Sequence, residues 1–118
     1  MKISAIKSIR PIKKYAKKII ALPYDVFDYD EAKNEIEKNK NSFLKISRSD
    51  ATFKNIKDPY NDSVYERAKK NLNEMIENSM LIKDNELSLF LWEITFKGKK
   101  QTGIVAGFDQ DEYKNGFI

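Results

Sequence analysis

The sequence predicts an α+β fold: a mixed or antiparallel sheet with two main helices and a C-terminal β-hairpin. Three observations carry that expectation. Val64, Ala68, Leu72, Met75 and Ile76 recur at helical spacing and form one apolar stripe. Leu87 to Phe96 is a run of strand-forming residues, followed by the turn Lys97-Gly98-Lys99-Lys100 and a second strand-like run. The order of elements lacks regular βαβ alternation, which argues against a doubly wound parallel sheet.

The elements are read in chain order. Lys2 to Arg10 alternates Ile3, Ala5 and Ile9 against polar residues, with Ile6 and Lys7 breaking the pattern, and reads as a half-buried strand. Pro11 ends it, because proline donates nothing to a ladder. Ile12 to Lys18 reads as a short helical turn, and the apolar run Ile19 to Leu22 as a short strand closed by Pro23. Asp28 or Asp30 caps a helix over Glu31 to Lys38, whose acidic first turn suits the helix dipole. Ala32 and Ile36 form its thin apolar side. Ser42 to Ser47 reads as a strand built on Phe43, Leu44 and Ile46. Arg48 to Asp62 has little periodicity and holds the turn signal Asp58-Pro59-Tyr60-Asn61. Long loops of this kind often carry function.

The long helix spans roughly Ser63 to Asn78, capped by Asp62 or Ser63, with a favourable Glu66 to Lys70 pair on its surface. Met80 to Lys83 begins a strand that Asp84-Asn85 turns. Along Leu87 to Phe96, Leu87, Leu89 and Leu91 share one face and Phe90, Trp92, Ile94 and Phe96 the other. Apolar residues on both faces predict a strand covered on both sides. Thr102 to Asp109 is its partner. Gly103 and Gly107 lie on one face of it and suggest close approach by another backbone or a bulky side chain. Asp109 to Gly116 opens a short helix.

The 118 residues suit one domain with a modest core. Cysteine and histidine are both absent, which excludes disulfides, thiolate nucleophiles and histidine-based catalysis within this chain. The formal charge is +4, from 22 bases and 18 acids. Residues 1–24 hold Lys2, Lys7, Arg10, Lys13, Lys14, Lys17 and Lys18 and no acid. Such an arm suits nucleic acid, acidic lipid or a phosphorylated ligand. However, the bases are nearly all lysine, and Arg10, Arg48 and Arg67 are the only arginines. Arginine is the preferred residue for bidentate phosphate contacts, so the charge reads chiefly as lysine-rich composition and nucleic acid as a poor partner. No apolar run is long enough for a membrane span, no secretory signal opens the chain, and a cytoplasmic location is expected.

Several clusters are candidates for chemistry. Tyr24 and Asp25 follow Pro23, where a hydroxyl and a carboxylate would position a ligand or a metal; the alternative is a turn in which Asp25 bonds nearby amides. Ser47-Arg48-Ser49-Asp50 leaves an expected strand end, a reasonable anion-binding set or simply a polar exit. Arg10 is similar. Asp25, Asp28, Asp30 and Glu31 form an acidic cluster that would hold Mg²⁺ through one or two carboxylates, against a plain capping role, and without an EF-hand pattern. Of these, Asp25 is the sole, weak metal candidate. Tyr15, Tyr24, Phe27, Tyr29, Phe43, Phe53, Tyr60 and Tyr65 interleave with bases, either as a stacking platform for single strands or as packing residues. Gly-x-Gly-x-x-Gly and Walker patterns are absent.

Taken in order, Ile9-Arg10-Pro11, Leu22-Pro23-Tyr24-Asp25-Val26, Ser42-Phe43-Leu44-Lys45-Ile46-Ser47-Arg48, Tyr65, Gly103-Ile104-Val105-Ala106 and Asp111-Glu112-Tyr113-Lys114-Asn115-Gly116 resemble the bacterial and archaeal domain-of-unknown-function family numbered ten-fifteen. The resemblance covers essentially the whole chain. It implies a longer protein that continues through a His-Glu pair to an Asp-Gly-His-His-Arg motif similar to that of the ParB/sulfiredoxin-like fold, which also hosts free-serine kinases. Family genes are often found beside serine-biosynthesis genes. The resemblance therefore implies small-molecule phosphoryl chemistry with a phosphorylated ligand of nucleotide or phosphoserine type, and Mg²⁺ with a nucleotide as cofactor. It implies that this chain is a single N-terminal domain, inactive alone, whose partner is the C-terminal remainder of its own polypeptide. The apolar pair Phe117-Ile118 agrees with that expectation. Arg10, Tyr24, Asp25, Ser47 and Arg48 would then line one wall of a site.

Overall fold

The computed structural model describes residues 1–116; Phe117-Ile118 lies outside the described residues. In chain order the elements are β1 (Ile3–Ser4), β2 (Ile9–Pro11), α1 (Ala16–Ile19), a 3₁₀ turn (Tyr24–Val26), α2 (Tyr29–Lys38), α3 (Leu44–Ser47), a second 3₁₀ turn (Ser49–Thr52) and α4 (Asp62–Glu77). There follow β3 (Leu81–Lys83), β4 (Phe90–Phe96), β5 (Lys99–Val105), β6 (Gly107–Phe108) and α5 (Gln110–Lys114). The fold is α+β, with α2 and α4 as its main helices and β4–β5 as its C-terminal hairpin. The chain divides into two compact units: a helical one, Pro11–Ile82, and a β-rich one built from Met1–Arg10 and the residues from Lys83 on.

The helical unit contains every buried apolar residue among those described. One cluster joins Ala32 and Ile36 of α2 to Leu44 of α3 and Ala51 of the second 3₁₀ turn, with Phe27 and Tyr29 packed against it. A second joins Ile19, Met75 and Leu81, with Ile46, Leu72 and Ile76 alongside. The α2 start is a capping box: the Asp28 carboxylate accepts from the Glu31 backbone N–H at 2.8 Å and the Glu31 carboxylate accepts from that of Asp28 at 3.0 Å. The long helix starts as its stripe dictates, but its cap is Asn61, whose side chain accepts from the Ser63 N–H. Its surface pair is Lys70 with Glu74, at 4.0 Å, rather than Glu66 with Lys70.

Two expected strands are absent from the helical unit. Ser42–Ser47 is not extended: α3 occupies Leu44–Ser47. The buried Ser42 hydroxyl accepts from the Leu44 N–H at 3.2 Å, a local bond that starts a helical turn and competes with a ladder. Its apolar residues point to two clusters, Leu44 to one and Ile46 to the other. Ile19–Leu22 is likewise no strand. Ile19 is buried as the last residue of α1, while Ile20 and Leu22 are exposed.

In the β-rich unit, the alternation over Lys2–Arg10 resolves into two short strands, because Ile6-Lys7 breaks the period. β1 pairs antiparallel with β6. Ile6 bridges Ser88 through two backbone bonds, of 3.0 and 2.9 Å. β4 and β5 form an antiparallel ribbon in register Phe90↔Val105 to Phe96↔Lys99, turned by Lys97 and Gly98, both with positive φ. The expectation that β4 is covered on both faces is not met. Leu91 is 78% exposed on one face, and Trp92 and Phe96 are 60% and 70% exposed on the other. Strand burial depends on neighbours rather than on the strand, and two strands provide none above or below. The two glycines also differ. A Cβ on Gly107 would lie 2.6 Å from the Ser4 Oγ, the expected close approach, whereas Gly103 faces open space.

Candidate functional site

A cavity of about 580 Å³ opens in the helical unit. Four of the five candidate residues line it: Tyr24 and Asp25 from the first 3₁₀ turn, Ser47 from the end of α3, and Arg48 just after it. Tyr29, Tyr60 and Tyr65 add aromatic walls, and Ile46, Ile56 and Val64 an apolar floor. Ser49 and Asp50 complete the lining near Arg48.

Local chemistry explains how these segments meet. The buried Ser49 hydroxyl donates to the Val64 carbonyl at 2.7 Å, tying the second 3₁₀ turn to the first turn of α4. The Tyr29 hydroxyl donates to the carbonyls of Phe53 and Lys54, holding the start of the long loop. Arg67 stacks over the Phe53 ring at 4.2 Å and donates to Thr52 at 3.2 Å. Asn71 of α4 donates to the Lys45 carbonyl at 2.7 Å, fixing α3 against the long helix. The Asp58 side chain accepts from the Tyr60 N–H at 2.9 Å, an Asx turn that sets the tyrosine on the rim.

Arg48 is the centre of this arrangement. Its Nε and Nη2 each donate at 3.0 Å to one carboxylate oxygen of Asp50, a bidentate pair. Its Nη1 donates to the carbonyls of Tyr24 and Phe27. Four of its five N–H donors are thereby committed to the protein. The side chain is 16% exposed and that of Asp50 10%. The bond to Asp50 outweighs desolvation and raises the guanidinium pKa further above its ordinary value, so the charge is permanent. Arg48 thus clamps the Tyr24–Val26 turn in place, with one N–H left for anything else.

The remaining candidates separate clearly. The Asp25 carboxylate and the Tyr24, Tyr60 and Tyr65 hydroxyls make no hydrogen bond to any described residue, which leaves them free at the cavity. Asp28 and Glu31 of the acidic cluster are spent on capping. Among the described residues no three acids, histidines or cysteines gather as a metal would require. Arg10 is not part of this cavity. It lies in the β-rich unit, where its Nε donates to both carboxylate oxygens of Asp84, at 3.0 and 3.2 Å. The Ser8 hydroxyl also donates to Asp84, at 2.6 Å. That bond, aided by Arg10, holds the Asp84 carboxyl below its ordinary pKa.

Residues 3–118 match the model of the family described as Protein of unknown function (DUF1015). The chain belongs to that family. No curated protein and no solved structure matches it. In this DUF1015 chain no described helix is long and apolar enough to cross a membrane. Sequence reasoning missed Asp50 as the partner of Arg48, although the two stand two residues apart. It also placed Tyr29, Tyr60 and Tyr65 only in a general aromatic set. Their common feature in this chain, one cavity, depends on how α2, α3 and α4 pack.

Proposed function

We propose that the helical unit is a small-molecule-binding domain and that its ligand occupies the cavity beside Tyr24 and Asp25. The observation that carries this reading is the cavity itself: about 580 Å³, within the ordinary range for ligand sites, apolar at its floor and with unspent polar groups at its rim. The clamp by Arg48 preorganises the rim, which lowers the ordering cost of binding. The implied nucleotide or phosphoserine fits in part. A base or an amino-acid portion suits the tyrosine walls, while a phosphate would meet one N–H of Arg48 and no other lining base. The residues present do not fit a Mg²⁺–phosphate centre, because Asp25 is the single free carboxylate at the cavity among the described residues. The function proposed for this chain is accordingly binding, with no transfer step.

The test is a titration of the chain with nucleosides, amino acids and phosphoserine, followed by amide NMR. Binding here predicts shifts confined to Tyr24–Phe27, Ser47–Asp50 and Tyr60–Ala68, lost in Tyr65→Ala. Shifts elsewhere, or unchanged by Tyr65→Ala, contradict it.

A second reading applies to the β-rich unit. Phe90, Trp92, Ile94, Phe96 and Val105 share one face of the β4–β5 ribbon, and all but Phe90 are exposed. We propose that this face packs on further polypeptide, the C-terminal remainder expected from the family resemblance being the first candidate. Strong binding of an apolar dye to the chain, weakened by Trp92→Ser with Phe96→Ser, would support it. Absence of dye binding would contradict it.

A further inference from the structure

We propose that the ligand of the helical-unit cavity carries a cationic nitrogen, an amine or a guanidinium, rather than a phosphate. The inference rests on the small-molecule reading above and narrows it to a ligand class. Its first ground is a donor count. A phosphate presents about two negative charges and three strong acceptor oxygens. Among the described residues the only lining base is Arg48, and four of its five N–H groups already serve Asp50 and the carbonyls of Tyr24 and Phe27. Displacing Asp50 to free the fork would leave a carboxylate, buried with its residue 7% exposed, without its counter-ion.

The second ground is charge. Arg48 and Asp50 neutralise one another, so the lining carries the net charge of Asp25, which is negative. That carboxylate has no hydrogen-bond or ion-pair partner among the described residues and is exposed at the cavity. A cation entering the cavity finds an acceptor of full charge that need not be taken from another group.

The third ground is the aromatic lining. Tyr24, Tyr29, Tyr60 and Tyr65 all border the cavity. Aromatic faces attract cations through the ring quadrupole, most strongly where water is excluded, and repel anions by the same sign. The Tyr29 hydroxyl is held by the Phe53 carbonyl, which restricts the ring, and the Asx turn at Asp58 positions Tyr60. Acceptor and rings therefore border one open cavity, with Tyr24, Tyr60 and Tyr65 more than half exposed at it.

A matched series tests the head group with the ring held constant: benzylamine, benzyl alcohol and phenyl phosphate, titrated into the full chain and followed by amide NMR. Benzylamine should bind most tightly and shift Tyr24–Phe27 and Tyr60–Ala68. Asp25→Asn, a change at an exposed and unbonded side chain, should weaken benzylamine at least threefold and leave benzyl alcohol unchanged. Tightest binding of phenyl phosphate, or of the alcohol, at these residues would overturn the cationic ligand and leave the small-molecule site standing. Equal benzylamine affinity in wild type and Asp25→Asn would also overturn it. If none of the three perturbs these residues, the cation inference and the binding-site reading both fail.

Discussion

The two units of this chain put their apolar residues to opposite uses. In the helical unit, Leu44 and Met75 are almost wholly buried and two apolar clusters hold four helices. In the β-rich unit, larger side chains such as Trp92 and Phe96 stand mostly in solvent, and no described apolar residue is buried. Composition does not cause the difference, because both units are rich in isoleucine, leucine and aromatics. Geometry does. A helix presents one stripe, which a neighbouring helix or turn covers at once. A two-stranded ribbon presents two faces, and its hydrogen bonds are made sideways, leaving both faces to whatever lies above and below. The cavity beside Tyr24 and Asp25 lies in the unit with a core, whose packed helices hold its walls.

The largest expected effect is in the helical core. Leu44→Ala should cost about 2–5 kcal/mol in urea unfolding, the usual range for a buried leucine. The matched change in the ribbon, Phe96→Ala, should cost about 0.5 kcal/mol or less, because an exposed side chain loses little on truncation. Equal costs would erase the contrast between the units. Next comes Arg48→Ala, expected to cost about 2–4 kcal/mol, since it strands the Asp50 carboxylate and frees the Tyr24–Val26 turn. Arg48→Lys should recover only part of that loss, because an ammonium cannot make the bidentate pair or reach both carbonyls together. A full recovery by lysine would show that charge alone matters there. A smaller effect, about 1 kcal/mol, is expected for Asp28→Ala, which removes the capping box of α2.

The smallest effect belongs to the β-rich unit and is one of pH. The hydrogen bond from Ser8, with Arg10 beside it, lowers the Asp84 pKa on folding. A lowered folded pKa means stability present above the unfolded carboxylate value and lost as pH falls through the lower, folded one. Asp84→Asn should therefore flatten the slight acid-side loss by removing the same small stabilisation at neutral pH, so that variant and wild type converge in acid. A 2D NMR titration of the Ser8 and Asp84 amides reads it directly, and an ordinary carboxylate midpoint there would contradict the pairing.

The legible parts of the fold are those whose signal exceeds one turn. The stripe from Val64 to Ile76 runs through most of α4, and the Lys97-Gly98 turn dictates the hairpin wherever its strands lie. The short run Phe43, Leu44 and Ile46 suits strand and helix alike, and the buried Ser42 hydroxyl decides for the helix. Two-sided apolarity along β4 reads as burial, but burial is supplied by neighbours that no local pattern contains. The candidate site divides in the same way. Tyr24, Asp25, Ser47 and Arg48 were legible as polar residues after apolar runs. That Arg48 is engaged by Asp50 and two carbonyls was not, since it depends on the turn between Ser49 and Thr52. Arg10 shares the local pattern of Arg48 and lies in the other unit, so pattern alone does not assign a site.

The most direct measurement is amide hydrogen exchange on the intact chain at neutral pH, read residue by residue. A helical unit with its own core, and a ribbon whose apolar side chains are exposed, predict that amides from Ala68 to Met75 exchange at least about a hundredfold more slowly than the paired amides of β4 and β5. Ribbon protection equal to that of α4 would contradict the account, since it would require β4–β5 to share one cooperative core with the helices.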